Sequence, residues 1–183
     1  MLSNTKTNFG SVTKFLHWLL FILLMTQFTL TTLFAMAAIG SPEKSQYILW
    51  HKSVGITIFC LTVIFVIWRA RNPYPKPTNA DPAWKKMVAK AVHHSLLLLL
   101  ILMPILGYTL TYAAGYSASY FGWFTLPRLI AENKVLADFA VKLHITFGVV
   151  LVLLVLLHIL AALHHHVILK DNVLKRMLPA FKR

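Results

Sequence analysis

Carboxylates and cysteines are scarce in this chain of 183 residues. It has five acids, none inside its three longest uncharged runs, and one cysteine, Cys60, which is embedded in apolar sequence. A single cysteine excludes a disulfide framework and a thiolate metal centre. With 58% apolar and 13% charged residues, disorder, a coiled coil and a nucleic-acid-binding domain are excluded as well. What the chain has instead is uncharged length. The runs Phe15 to Ile39, Ala91 to Pro127 and Leu143 to Leu169 each exceed the roughly 20 apolar residues that cross a hydrocarbon core of about 30 Å.

The spacing of these runs predicts an all-α fold, a four-helix transmembrane bundle forming one integral-membrane domain over residues 1–183. The spans are expected at about 12–37, 48–70, 88–112 and 143–169. Lys52 lies one turn inside the second span, where its long side chain can snorkel to the interface. Ala35-Met36-Ala37 has the form of a signal-peptide cleavage site, but the apolar stretch before it is longer than such peptides carry, so an uncleaved helix is expected.

The net charge of +13 would suit nucleic acid were it not for where the cations lie. Thirteen of the 18 Lys and Arg fall in the N-terminus, the second connection and the C-terminus, and five on the other side. This positive-inside bias predicts both termini in the cytoplasm. The second connection contains Asn72-Pro73-Tyr74-Pro75-Lys76-Pro77, an extended linker between two helical hairpins. On the opposite side, Ala113 to Val141 carries Tyr116, Tyr120, Phe121, Trp123 and Phe124, expected either to fold over the end of the bundle or to form an interfacial belt.

Nine histidines against five acids are the informative excess, and several fall within the spans. An unpaired imidazole in hydrocarbon is costly, which makes each a functional candidate. His144 and His158 are 14 residues apart, about 21 Å of helical rise and only ~40° around the axis. Up-and-down topology puts His17 level with His158 and His51 level with His144. Two imidazoles on facing helices suit the two faces of a porphyrin, and the lack of Cys-x-x-Cys-His makes such a haem b-type, bound without covalent attachment. Gly55 and Gly148, four residues past the outer histidines, leave room for a macrocycle. The alternatives are histidines that pack helices by hydrogen bonding, a zinc site, and a proton-coupled transporter; the last two are weakened by the absence of Asp and Glu from the spans.

Leu16-His17-Trp18, His51-Lys52-Ser53-Val54-Gly55-Ile56, His93 with Pro104, His144 with His158, and the ending His165-His166 followed by Lys170-Asp171-Asn172 together resemble the bacterial cytochrome b561 family. These are short, four-helix, dihaem proteins of the inner membrane that include a superoxide oxidase. The resemblance implies two haems b held by His17, His158, His51 and His144, and a quinone site, for ubiquinone or another quinone, near the cytoplasmic haem. Trp18, His165 and His93 are the candidates there. It also implies an oxidoreductase of superoxide:quinone type, or else an electron-transfer module that serves a partner dehydrogenase or a periplasmic redox protein. An ascorbate role is poorly supported, because the cytochromes b561 that use ascorbate have six helices. Lys52, Lys142 and Arg128 are expected either to turn toward the outer haem as a positive entrance for an anionic donor or to be ordinary snorkelling residues at helix ends.

Overall fold

The computed structural model describes residues 1–76 and 82–178. The chain forms α1 (Ser11–Met36), α2 (Pro42–Arg71), α3 (Ala83–Ala113), a hairpin of two short strands, β1 (Ser119–Tyr120) and β2 (Phe124–Thr125), and α4 (Lys134–Val167). All four helices are long and apolar enough to cross a membrane. Pro77 of the predicted linker, and Lys182 and Arg183 of the basic C-terminus, lie outside the described residues.

α2, α3 and α4 outrun the apolar spans, and for α2 and α4 the caps explain why. Ser41 accepts a hydrogen bond from the Lys44 amide (3.1 Å) ahead of Pro42 in the first turn of α2. Asn133 does the same for Leu136 (3.0 Å), which starts α4 nine residues before the span expected from hydropathy. The added turns are stabilised across one helical turn by Lys134 and Asp138, 2.8 Å apart. The connection expected over residues 113–141 is shortened accordingly, since its last eight residues are helical.

Packing follows two hairpins. α1 lies along α2 and α3 along α4, with α2 against α3; no Cα of α4 comes within 8 Å of one in α1 or α2 among the described residues. A buried layer of Leu16, Leu20, Leu30, Val54, Ile58 and Phe65 joins α1 to α2. A second, of Leu24, Leu99, Leu151 and Val155, bridges the wider gap from α1 to α3 and α4 by side chains alone. Meanwhile Phe15, Ile22, Leu98, Val149 and Leu160 stand exposed, the arrangement expected where lipid is the solvent.

Both ends are closed by loops. At the end that carries both termini, the Lys76 amide donates to the Lys6 carbonyl (3.0 Å) and Asn4 donates to the Pro73 carbonyl (3.2 Å). The Asn4 side-chain oxygen accepts from the Gly10 amide and the Thr13 hydroxyl. Gly10 has to be glycine, since a Cβ would sit 2.2 Å from the Leu2 carbonyl oxygen. The Arg176 guanidinium reaches back to the carbonyls of Lys76 and Thr7. N-terminus, linker and C-terminal segment thus form one cap, which places them on one side of the bundle.

At the other end the β1–β2 hairpin is fastened to α2. Ser53, fully buried, accepts from the Phe121 amide (2.8 Å) and donates to the Leu49 carbonyl (2.8 Å); Thr57 shares a hydrogen bond with the Tyr120 hydroxyl (3.1 Å). Phe121 holds a left-handed backbone angle (φ 50°), a conformation that needs this anchor. The loop aromatics divide: Tyr120 packs inward against Thr57, whereas Trp123 is 79% exposed. Ser53→Ala is expected to leave the Phe121 amide without an acceptor at a cost of about 1–3 kcal/mol, with faster proteolysis confined to residues 114–133. Unchanged protease resistance would mean that the hairpin is held elsewhere.

Candidate functional site

Four of the predicted histidines meet in pairs across the gap in front of α4. The rings of His17 (α1) and His158 (α4) have centroids 6.1 Å apart; those of His51 (α2) and His144 (α4) are 6.2 Å apart. The leucine and valine layer around Leu24, Leu99, Leu151 and Val155 lies between the two levels. α4 alone contributes to both, because 14 residues bring a helix almost back to the same face.

At the loop end, His51 is oriented by α1. Thr31 Oγ1 lies 3.3 Å from its Nδ1, and the Gln27 amide nitrogen is 3.2 Å from Nε2 and donates to the His51 carbonyl (3.1 Å). The opposite ring, His144, fits a notch on α3: a Cβ on Gly107 would stand 3.3 Å from His144 Cε1, and the Met103 backbone runs alongside. One buried polar atom at this level, Gln27 Oε1, makes no hydrogen bond among the described residues. Such an orphan costs about 1–3 kcal/mol in a packed protein. Gly55 and Gly148, singled out for the space they leave, face the ends of two flexible side chains, Gln27 Nε2 at 3.4 Å and Met103 Cε at 3.6 Å from where a Cβ would be.

The terminal end gathers more residues than the pair alone. His93 (α3) lies 5.1 Å from the His158 ring, closer than His17 does. Trp18 stands edge-on to His17 at 5.5 Å and donates its indole N–H to the Met177 carbonyl (2.8 Å), so it ties the C-terminal turn to α1. His165, beyond His158 on α4, has Nδ1 2.6 Å from Asp171 Oδ2. His17, His93, His158, Trp18 and His165 are thus all at one end of the bundle. Sequence reasoning missed Thr31, Gln27, Gly107 and Asp171 as neighbours of these histidines. Only Asp171 carried a signal, as one of the chain's five acids.

The expected positive entrance is not assembled. Lys52 Nζ donates to the Ser117 carbonyl (3.1 Å), and Arg128 pairs with Glu132 (3.1 Å) while its other nitrogen serves the Gly115 carbonyl. Both cations are engaged in holding the outer loop together, and Lys142 is exposed on α4.

The family profile described as prokaryotic cytochrome b561 matches residues 8–180. Cytochrome b561 homolog 2 of Escherichia coli K12 is 36% identical, over 96% of this chain and 94% of its own length. Cytochrome b561 homolog 1 of the same organism is 29% identical over 95% and 98%. A probable superoxide oxidase, CybB, of Yersinia pestis is 31% identical over 90% and 92%. With four membrane-crossing helices and a match over nearly its whole length, this chain belongs to the prokaryotic cytochrome b561 family, b-type haem proteins, and is a multi-pass protein of the bacterial inner membrane.

Proposed function

We propose that the protein is a dihaem cytochrome that takes single electrons from a donor at its loop end, with superoxide the leading candidate, and passes them to a membrane quinone at its terminal end. The observation that carries this reading is the pair of imidazole couples at two depths, 6.1 and 6.2 Å between ring centroids. A metal-bound imidazole nitrogen lies about 2 Å from its metal, and the ring centroid ~1 Å behind it, so two rings on opposite sides of one iron are about 6 Å apart. The separation of α4 from α1 and α2 and the buried, unpartnered Gln27 Oε1 beside His51 also fit a group seated between the helices. His17 with His158 and His51 with His144 would hold the two haems. When bound, a b-type haem supplies a one-electron iron couple whose potential is set by axial ligation and burial.

The chain's own residues do the rest. Thr31 at His51 Nδ1 fixes ring orientation and leaves Nε2 for the metal. For that, the Gln27 amide, 3.2 Å from Nε2 in this structure, would have to turn aside, a rotation within a flexible side chain. The buried layer of Leu24, Leu99, Leu151 and Val155 keeps water out from between the two levels. At the terminal end, Trp18 and the C-terminal turn border the His17 and His158 pair, and the half-buried His165 and His93 offer exchangeable protons where a quinone would take them up. The superoxide donor is favoured by the name of the Yersinia pestis relative.

Stopped-flow mixing of the purified, haem-loaded protein with superoxide and then with a ubiquinone analogue tests this function. Haem absorbance should register reduction, followed by reoxidation on addition of quinone. A negligible superoxide rate with efficient reduction by a partner redox protein would replace the enzyme by a docking module. Purified protein without haem absorbance would reject the cytochrome reading itself.

A further inference from the structure

The C-terminal segment turns back beneath α4 and brings an acid to its last turn. α4 ends at Val167, Lys170 takes a left-handed backbone angle (φ 53°), and the Asp171 amide donates to the His165 carbonyl (3.1 Å). This reversal sets Asp171 Oδ2 2.6 Å from His165 Nδ1, while Oδ1 accepts from the Val173 amide (2.9 Å). Both side chains are about one-fifth exposed, buried enough to be held and open enough to exchange protons. The turn then runs on to Met177 and Leu178, whose carbonyls accept from Trp18 and Lys14 of α1. One short segment therefore links the His165 ring to the tryptophan that stands edge-on to His17.

We propose that Asp171 is a positioning residue for proton delivery. It holds His165 by Nδ1 so that Nε2 is the nitrogen that gives a proton to a quinone oxygen at the terminal end. The proposal rests on the reading above that a quinone is reduced there. Reduction to the quinol takes two electrons, which come one at a time from the donor by way of the cytochrome, and two protons. For one of these, the His165 Nε2–H bond breaks as an O–H bond forms on one quinone oxygen, and water at the terminal end restores the proton. The second proton reaches the other oxygen from solvent. A carboxylate behind the ring keeps one proton on Nδ1 throughout and lends a counter-charge when both nitrogens carry one. A residue that served only to stop the helix would need no side chain aimed at the ring, because the Asp171 amide already bonds the His165 carbonyl.

The test compares Asp171→Asn, Asp171→Glu, His165→Gln and the double variant Asp171→Asn/His165→Gln with the unaltered protein, all carrying haem. Nitrogen-15 NMR of histidine-labelled protein should find His165 protonated at Nδ1 in the unaltered chain, and this signature should be lost in Asp171→Asn. Reoxidation of the reduced protein by a ubiquinone analogue should slow about 10-fold in Asp171→Asn, the scale of losing a ligand's supporting partner. Haem content, reduction by an artificial donor and affinity for the analogue should be unchanged. Asp171→Glu should recover most of the rate, and the double variant should be no slower than His165→Gln, because the two residues act as one unit. An unaltered rate in Asp171→Asn, losses that multiply in the double variant, or loss of haem from Asp171→Asn would each overturn the proposal. If the unaltered protein fails to reduce any quinone, the functional reading falls and this role falls with it.

Discussion

Replacement of His144 by alanine is expected to leave one haem b per chain where the unaltered protein holds two. The remaining one should keep its bis-histidine spectrum. The same outcome is expected for His51→Ala, since these rings face each other at 6.2 Å and, among the described residues, no third imidazole packs on them. His158→Ala and His17→Ala should instead remove the haem at the terminal end. A haem without thioether links is held by its axial bonds and its pocket, so losing one ligand from a site that lacks a substitute removes most of its affinity. The two levels differ in that respect. His93 is 5.1 Å from the His158 ring, which puts a spare imidazole beside the terminal-end pair. His158 is the residue shared by both contacts there, and its loss should be the more complete. Comparing His17→Ala with His17→Ala/His93→Ala reads any substitution by His93 directly. The pyridine haemochrome assay counts the haems, and retention of both after His144→Ala would reject the pairing.

Electron transfer should report the same division. Without the loop-end haem, an outer donor loses its point of entry while chemically delivered electrons still reach quinone; without the terminal-end haem the converse holds. This dissociation separates loss of a centre from general misfolding, which would abolish both.

The histidine pattern was legible in the sequence because it depends on two regularities only, the 3.6-residue repeat of a helix and the alternation of direction between successive spans. His17, His51, His144 and His158 therefore had assigned depths before any packing was known. The spans were legible for the same reason: hydrocarbon demands uncharged length. Helix ends were not, since Ser41 and Asn133 cap α2 and α4 outside the apolar runs, where water and charged side chains support the helix as readily. Residues that touch the histidines were hidden wherever contact depends on rotation of one helix against another. Gly107 meets His144 across α3 and α4, and Thr31 meets His51 across α1 and α2; neither spacing marks them in advance. The contact between Trp18 and Met177 spans 159 positions and arises only because the C-terminal turn folds back. Lys52 and Arg128 show the opposite failure. Charge near a site suggested steering, but open carbonyls of the outer loop took up both cations.

Membrane orientation is the remaining prediction with an all-or-none effect. A reporter active only in the cytoplasm, fused after Arg183, should be active, and one that works only outside should be silent there. Inserted between Gly115 and Trp123, the two reporters should give the reverse. Two independent arguments meet here. The first is the count of basic residues, thirteen in the termini and the second connection against five elsewhere. The second is the cap in which Lys6, Asn4 and Thr7 of the N-terminus bond to Pro73, Lys76 and Arg176, which requires those three segments to share one side whichever side it is. An even number of crossings satisfies both. Because the cap ties the segments together, orientation cannot change for one hairpin alone, and moving cations should act on the whole bundle. Replacing Lys85, Lys86 and Lys90, at the start of α3, by glutamine narrows the bias from thirteen against five to ten against five, which should leave the orientation intact. A C-terminal reporter active outside would place His17 and His158 at the outer face, and quinone reduction at His165 would then draw its proton from the periplasm.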